Sequence, residues 1–204
     1  MSKVTGVILA GGLSRRFGEG DKFLNKLTGR PLLNWVVERV SPQVDELILN
    51  TNAASGQMDG YNLPVVADVI TGYAGPLAGI LTGMEWVIAN GSGEWIATFP
   101  ADAPFIPTDM IKKLMDRATR DKAEIVCAAS DGRIHPVCGL WQISLAGQLR
   151  QAMEQEKMRK ADLWTERYNL SIVDFSTNPY DPFFNINRPV DMAAAEKIAA
   201  LVGK

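Results

Sequence analysis

The sequence predicts an α/β protein with three layers, helices on both faces of a mostly parallel sheet, in one domain spanning residues 1–204. Three observations predict it. Short apolar segments alternate with amphipathic segments of helical length through much of the chain, the pattern of right-handed βαβ units. The opening strand runs into a pair of glycines followed by cations. Later strands end in Asn50, Asp68 and Asp102, and in an open α/β sheet ligands gather outside the carboxyl ends of the strands.

In order, Val4–Ala10 is an apolar run closed by Gly11 and Gly12 and reads as a buried strand. In GRPLLNWVVERV, Pro31 suits a first helical turn, and Leu32, Leu33, Trp35, Val36, Val37 and Val40 form a wide apolar face. Residues 46–50 (ELILN) and 63–68 (LPVVAD) are the second and third strands. A helix starts near Pro76 and ends by Gly91; residues 94–100 (EWIATFP) are the fourth strand. PTDMIKKLMDRATR is an amphipathic helix, and residues 123–129 (AEIVCAA) the fifth strand. Past DGRIHP the pattern loosens. VCGLWQI reads as a strand, 144–156 as a helix, 162–168 as a short helix, LSIVDF as a strand, and the Ala-rich segment after Pro189 as a closing helix. Trp35, Trp86, Trp95 and Trp141 fall in regular elements and are expected in the core; Trp164 is not assigned.

At 204 residues the chain can bury a large core. It is 47% hydrophobic and 22% charged, with a net charge of −2. That balance gives no electrostatic footprint for nucleic acid or a membrane surface, so any anion site must be local. No apolar run approaches the ~20 residues of a membrane span. Cys127 and Cys138 sit in no metal or redox spacing. With an N-terminal apolar run of strand length only, a reducing cytoplasm is the expected setting.

The stretch LAGGLSRRFGEGDK matches no common phosphate motif. Lys22 is preceded by Asp21 and followed by Phe23, unlike a Walker loop; Gly18 and Gly20 lack the third glycine of a dinucleotide fingerprint; and Arg16 stands where a nucleophile elbow needs glycine. What remains is a glycine loop with Arg15, Arg16 and Lys22. Backbone N–H groups freed by glycine can form an anion nest, arginine adds bidentate contacts and lysine a point charge. So many donors suit a polyphosphate. The plainer alternative is a solvated loop whose charges pair with Glu19 and Asp21.

That loop resembles the LAGGxSxRMG signature of a nucleotidyltransferase family. GPLAGI (75–80), FPADAPFI (99–106), HPVCGLW (135–141) and FNINRPVD (184–191) follow in order. Together the five segments are similar to the molybdenum cofactor guanylyltransferase family, with matches from residue 4 to about residue 192. Three departures stand out: Ala101 replaces the family's usual Cys, Phe17 its Met, and Arg188 a common Thr.

The resemblance implies a Rossmann-like nucleotidyltransferase fold, with 1–106 forming the nucleotide side and 107–204 the molybdopterin side. It implies transfer of GMP from GTP to the phosphate of molybdopterin with release of pyrophosphate and with Mg²⁺ as cofactor. It further implies a monomer, with molybdoenzyme chaperones as candidate partners. Arg16, Lys22 and Asp102 are the implied catalytic residues, and Asp102 the metal ligand. Leu9, Ala10, Gly11, Gly12, Lys22, Asn50, Asp68 and Asp102 are the implied GTP contacts. Either Asn50 or Asp68 could read base or ribose. Arg159, Asn185 and Asn187 are assigned to molybdopterin. The two asparagines, two apart, would share one side of an extended segment. Lys157, Arg159 and Lys160 could equally be a solvated helix end, and Asp102 or Asp68 a turn cap. The lone His135 is not required by the implied chemistry and reads as a rim or structural residue.

Two other readings stand beside this one. A sister cytidylyltransferase has the same fold, although those sequences more often read LAAG than the glycine pair seen here. A catalytically silent nucleotide-binding module is the non-enzymatic reading, since folds host many functions.

Overall fold

The structure, a computed structural model, describes residues 3–11, 24–53, 58–72, 75–91 and 93–202. Its strands, in chain order, are β1 (Val4–Leu9), β2 (Lys26–Leu27), β3 (Arg30–Pro31), β4 (Glu46–Asn50), β5 (Val65–Val66), β6 (Trp95–Pro100), β7 (Ile125–Ser130), β8 (Arg133–Gln142) and β9 (Leu170–Phe175). Its α-helices are α1 (Leu32–Val40), α2 (Pro76–Asn90), α3 (Met110–Asp121), α4 (Ala146–Glu154), α5 (Ala161–Thr165) and α6 (Met192–Val202).

Among the described residues, seven strands form one sheet in the order β5-β4-β1-β6-β8-β7-β9, and β2 and β3 pair separately. β5, β4, β1 and β6 are mutually parallel, and so are β7 and β9; β8 alone runs against its neighbours β6 and β7. The mostly parallel sheet of the sequence reading is therefore present, with one reversed strand. The reversal arises at Asp131-Gly132, where both residues take positive φ (47° and 72°). That is the geometry of a tight hairpin whose twist matches its strands. The same hairpin extends the last-but-one strand back to Arg133, well before the expected VCGLWQI. Pro136, which cannot donate to a ladder, lies where the β7–β8 register jumps between Cys127↔Gly139 and Ala128↔His135.

Alternation along the strands builds two cores. Ile8, Leu47, Leu49, Ala97, Phe99, Val126 and Leu140 pack with α1 and α3 on one face. Val7, Ile48, Ile96, Ile125, Cys127 and Trp141 pack with α2, α4 and α5 on the other. This is the expected three-layer arrangement, and the period of two is what lets one sheet feed both layers. A smaller cluster joins Leu27 and Leu32 to Phe105, Ile186 and α6.

Element ends shift from the sequence expectations. The 63–68 strand contracts to β5, while the preceding Pro64 still accepts from the Leu49 N–H. The 144–156 helix begins as a 3₁₀ turn at Ile143–Leu145 and ends at Glu154; the 162–168 helix becomes α5. The closing helix is preceded by a 3₁₀ turn, Pro189–Asp191. Trp141 and Trp164 are fully buried and Trp95 nearly so, whereas Trp35 and Trp86 are only partly buried. Both thiols are buried and free, and burial pushes Cys127 up to about 12 and Cys138 higher still. They are core residues, inert as nucleophiles. Among the described residues no helix is long and apolar enough to cross a membrane.

Candidate functional site

The sheet reverses its winding between β1 and β6: the strands after β1 are added outward through β4 and β5, and β6 then begins the other side. A crevice opens at the carboxyl ends where such a switch occurs. Its floor is tied by main-chain bonds. Ala10 N–H donates to Asn50 O at 2.9 Å, and Ala101 N–H donates to Leu9 O at 3.1 Å. The buried Thr51 hydroxyl donates to Ala10 O at 3.2 Å. Leu9, Ala10, Gly11, Asn50 and Asp102 are thereby brought to one rim. Ala10 is buried, Leu9 and Asp102 are half-buried, and Gly11 is exposed. The remaining loop residues assigned by sequence, Gly12, Arg15, Arg16 and Lys22, lie outside the described residues.

Asp68 joins this rim through two amides. Asn50, almost wholly buried, donates through Nδ2 to Val66 O (3.1 Å) and to Asp68 Oδ1 (2.9 Å). Asn52 donates to Asp68 Oδ2 (2.8 Å), and its own Oδ1 accepts the Asp68 N–H (2.9 Å). Both amide protons of Asn50 are thus spent inside the protein. Asp68 is no simple turn cap: its two oxygens each accept one side-chain bond, and each retains a lone pair. Asn52 is a residue the sequence reading missed. Its signal was the parallel register, in which Asn50 faces Val66 and the same offset puts Asn52 opposite Asp68.

Helix α2 closes one wall. Gly75, with φ 75°, precedes Pro76 at its start. A Cβ built on Gly79 would fall 2.3 Å from Asn50 Oδ1 and 2.6 Å from Leu9 Cδ2, so the helix seats directly on two rim residues. Gly75 itself lies against the Arg159 carbonyl, 3.4 Å from the position of a Cβ. The Arg159 main chain therefore lies beside the start of α2, while charge of the basic cluster serves α4. Arg159 Nη1 donates to Met153 O and Lys157 Nζ to Glu154 O, both carbonyls in the last turn of that helix, where cations are favoured; Arg159 Nη1 also donates to Met158 O, beyond the helix.

The segment with the two asparagines crosses on the other side. Ile186 N–H donates to Asp102 O at 3.0 Å, and the Ile186 side chain is fully buried. Asn185 and Asn187 flank it, half-buried and exposed respectively. Asp191 Oδ2 accepts from the N–H groups of Asn187 (2.8 Å) and Arg188 (2.7 Å), which fixes the chain just past the pair.

His135 is engaged with Ser130, whose Oγ lies 2.7 Å from its Nε2. Burial lowers the His135 pKa, Asp181 opposes that shift and Arg133 adds to it. It is structural in its contacts, as expected. Among the described residues no group of three or more His, Cys, Asp or Glu side chains converges as a metal cage. One ligating carboxylate suffices for Mg²⁺ when substrate phosphates and water supply its other ligands, and Asp102, half-buried at the rim, could hold it.

The chain's similarities agree with this geometry. Residues 6–168 match the model of the MobA-like NTP transferase domain. A molybdenum cofactor guanylyltransferase from Rhodopseudomonas palustris (strain BisB5) is 46% identical over 95% of this chain and 92% of its own length. One from Nitrobacter hamburgensis is 44% identical over 97% and 95%. In three dimensions, molybdopterin-guanine dinucleotide biosynthesis protein A from Archaeoglobus fulgidus superposes with a TM-score of 0.78 at 24% identity, covering 97% of this chain and 99% of that one. A family model spanning most of the chain and relatives matched nearly end to end make it a nucleotidyltransferase that belongs to the MobA-like, molybdenum cofactor guanylyltransferase family.

Proposed function

We propose that this chain transfers GMP from GTP to the phosphate of molybdenum-molybdopterin. An acceptor phosphate oxygen attacks the α-phosphorus, a P–O bond forms to it, the α–β P–O bond breaks, and pyrophosphate leaves. The nucleophile is already an anion, so no strong base is needed. The barrier lies in charge repulsion and in-line alignment, which the protein meets by positioning and electrostatics.

The observation that supports this best is the shared rim. Main-chain bonds tie Leu9-Ala10 to Asn50 and Ala101 at one switch-point crevice, and the Asn185–Asn187 segment is bonded to Asp102. A nucleotide and a second substrate would meet there. Asp68 offers acceptors only, which suits the N1–H and N2–H donors of guanine and equally the ribose hydroxyls. Asn50 serves by holding Asp68. Gly11 and Gly12 supply backbone donors, and Arg16 and Lys22 the triphosphate's counter-charge. Asp102 would hold Mg²⁺, which when bound offsets phosphate charge. Arg159, Asn185 and Asn187 are assigned to the acceptor.

The test is incubation with GTP, Mg²⁺ and molybdopterin, with mass detection of the dinucleotide. Asp102→Ala should abolish pyrophosphate release while leaving the thermal transition in place. Product from CTP but not GTP would assign the chain to the cytidylyltransferases, and nucleotide binding without product from either would favour the silent module.

A further inference from the structure

HPVCGLW is a matched segment to which the reaction gives no task, and its histidine belongs to a network that reaches the acceptor side of the site. Ser130, the last residue of β7, is 2% exposed. Its hydroxyl donates to Asp181 Oδ1 at 2.9 Å. A hydroxyl has one proton, so at the 2.7 Å contact with His135 Ser130 accepts, and the imidazole carries its hydrogen on Nε2. Asp181 Oδ1 accepts a second bond, from the Phe183 N–H at 2.9 Å. The Phe183 ring lies 4.7 Å from the His135 ring and 5.4 Å edge-on to Phe175.

This serine is no nucleophile: it is buried and its proton is committed to a carboxylate. The network instead fixes backbone. Asp181 begins a stretch pinned at one end by Ser130 and, five residues on, at the other by the Ile186 N–H on Asp102 O. Between and beside those pins lie Asn185 and Asn187. A buried hydroxyl that both donates and accepts in such a network defines position more sharply than apolar packing does.

We propose that Ser130, His135 and Asp181 form a latch that positions the 181–187 segment, and so aligns the acceptor phosphate for in-line attack. Ser130 and Asp181 are positioning residues, acting through the asparagine segment. This rests on the reading that Asn185 and Asn187 face the acceptor. GTP is assigned mainly to β1, β4 and β5, across the crevice, and the latch touches its Asp102 only at the main-chain carbonyl, so the latch acts chiefly on the acceptor.

The test uses Ser130→Ala, Asp181→Ala and Asp181→Asn in the full chain, assayed well below each variant's Tm. Both alanine variants should lower kcat/KM for molybdopterin by about tenfold or more, the scale set by small misalignments of reacting groups, with the GTP Kd unchanged within about twofold. Asp181→Asn should recover most of the loss, because an amide oxygen still accepts from Ser130 and from Phe183 N–H. Without any substrate, amide exchange at Phe183 and Ile186 should speed up in the alanine variants and not in Asp181→Asn. Acceptor kinetics unchanged in both alanine variants, or GTP binding weakened in parallel, would overturn the proposal. So would unchanged exchange at Phe183 and Ile186. If wild-type protein made no dinucleotide, the assigned acceptor would be wrong, and the exchange readout would still decide whether the latch holds the segment.

Discussion

Two amides, Asn50 and Asn52, hold the plane of the Asp68 carboxylate that we propose meets the nucleotide. Asn52 is exposed and bonds reciprocally with Asp68. Asn52→Ala should leave Tm nearly unchanged and weaken GTP by roughly fivefold, the worth of about 1 kcal/mol for a solvent-accessible hydrogen bond to a charged group. Titration calorimetry that found wild-type affinity would remove Asn52, and with it the preset carboxylate, from recognition. The candidate site's carboxylates, Asp68 and Asp102, can be picked out of the chain because each follows an apolar strand. Asn52 cannot, because its partner is sixteen residues away and only strand register joins them. His135 supports a second prediction at this scale. Burial holds its pKa below the ordinary value, Arg133 adds to that, and Asp181 opposes it. The unfolded chain therefore binds this proton first as pH falls. The corresponding stability is complete above about pH 6.5 and is lost as pH drops through the lower folded value. Tm should fall between about pH 7.5 and pH 5.5, and fall less in His135→Gln; parallel curves for the two proteins would rule His135 out as the cause. Asp121 and Glu156 also have lowered pKa values, but as carboxylates they act in a more acidic window.

Helix α2 shows how an element can be read correctly while its purpose stays hidden. Pro76 at its start and Gly91, with φ 67°, at its end are ordinary boundary signals, and both were legible. What the sequence does not display is that Gly79 lets the helix sit on Asn50 and Leu9. Substitution by alanine normally favours a helix. Here the added Cβ would fall 2.3 Å from Asn50 Oδ1 and 2.6 Å from Leu9 Cδ2, and Asn50 is held by its bonds to Val66 and Asp68. Overpacking of this kind costs about 1–3 kcal/mol. Gly79→Ala should therefore lower stability and, by displacing Asn50, weaken GTP more than Asn52→Ala does. A variant that gained stability and bound GTP normally would show that the helix can slide away from the rim at no cost. The hairpin at Asp131-Gly132 is the opposite case. Its turn signal was present in the chain, but Pro136 broke the alternation that would have marked the strand behind it, so β8 was legible only in its second half.

At the scale of the molecule, the reversed strand β8 decides whether the two ends of the site belong to one body. β6 carries Asp102 at its end; β7 carries Ser130; β8 pairs with both. Removing β8 would separate the nucleotide strands from β7 and β9. Both cores also run across this junction, with Val4 and Phe183 in one cluster and Val7 and Trp164 in the other. Trp141 on β8 bonds to Thr98 on β6 at 2.9 Å and packs 6.0 Å from Trp164. A sheet continuous in this way should unfold in a single step, with calorimetric and van't Hoff enthalpies equal. Leu140 is fully buried on β8, so Leu140→Ala should cost about 2–5 kcal/mol. For a chain of this size the transition should move down by roughly 5–15 °C, and it should move whole. If the nucleotide half and the acceptor half were independent units, the same variant would split the trace: GTP would go on raising the midpoint of one transition while the other shifted alone. Scanning calorimetry of wild type and Leu140→Ala, with and without GTP, separates these outcomes. A single transition that both the substitution and the nucleotide displace would tie the energetics of β8 to the crevice on the far side of its neighbour β6.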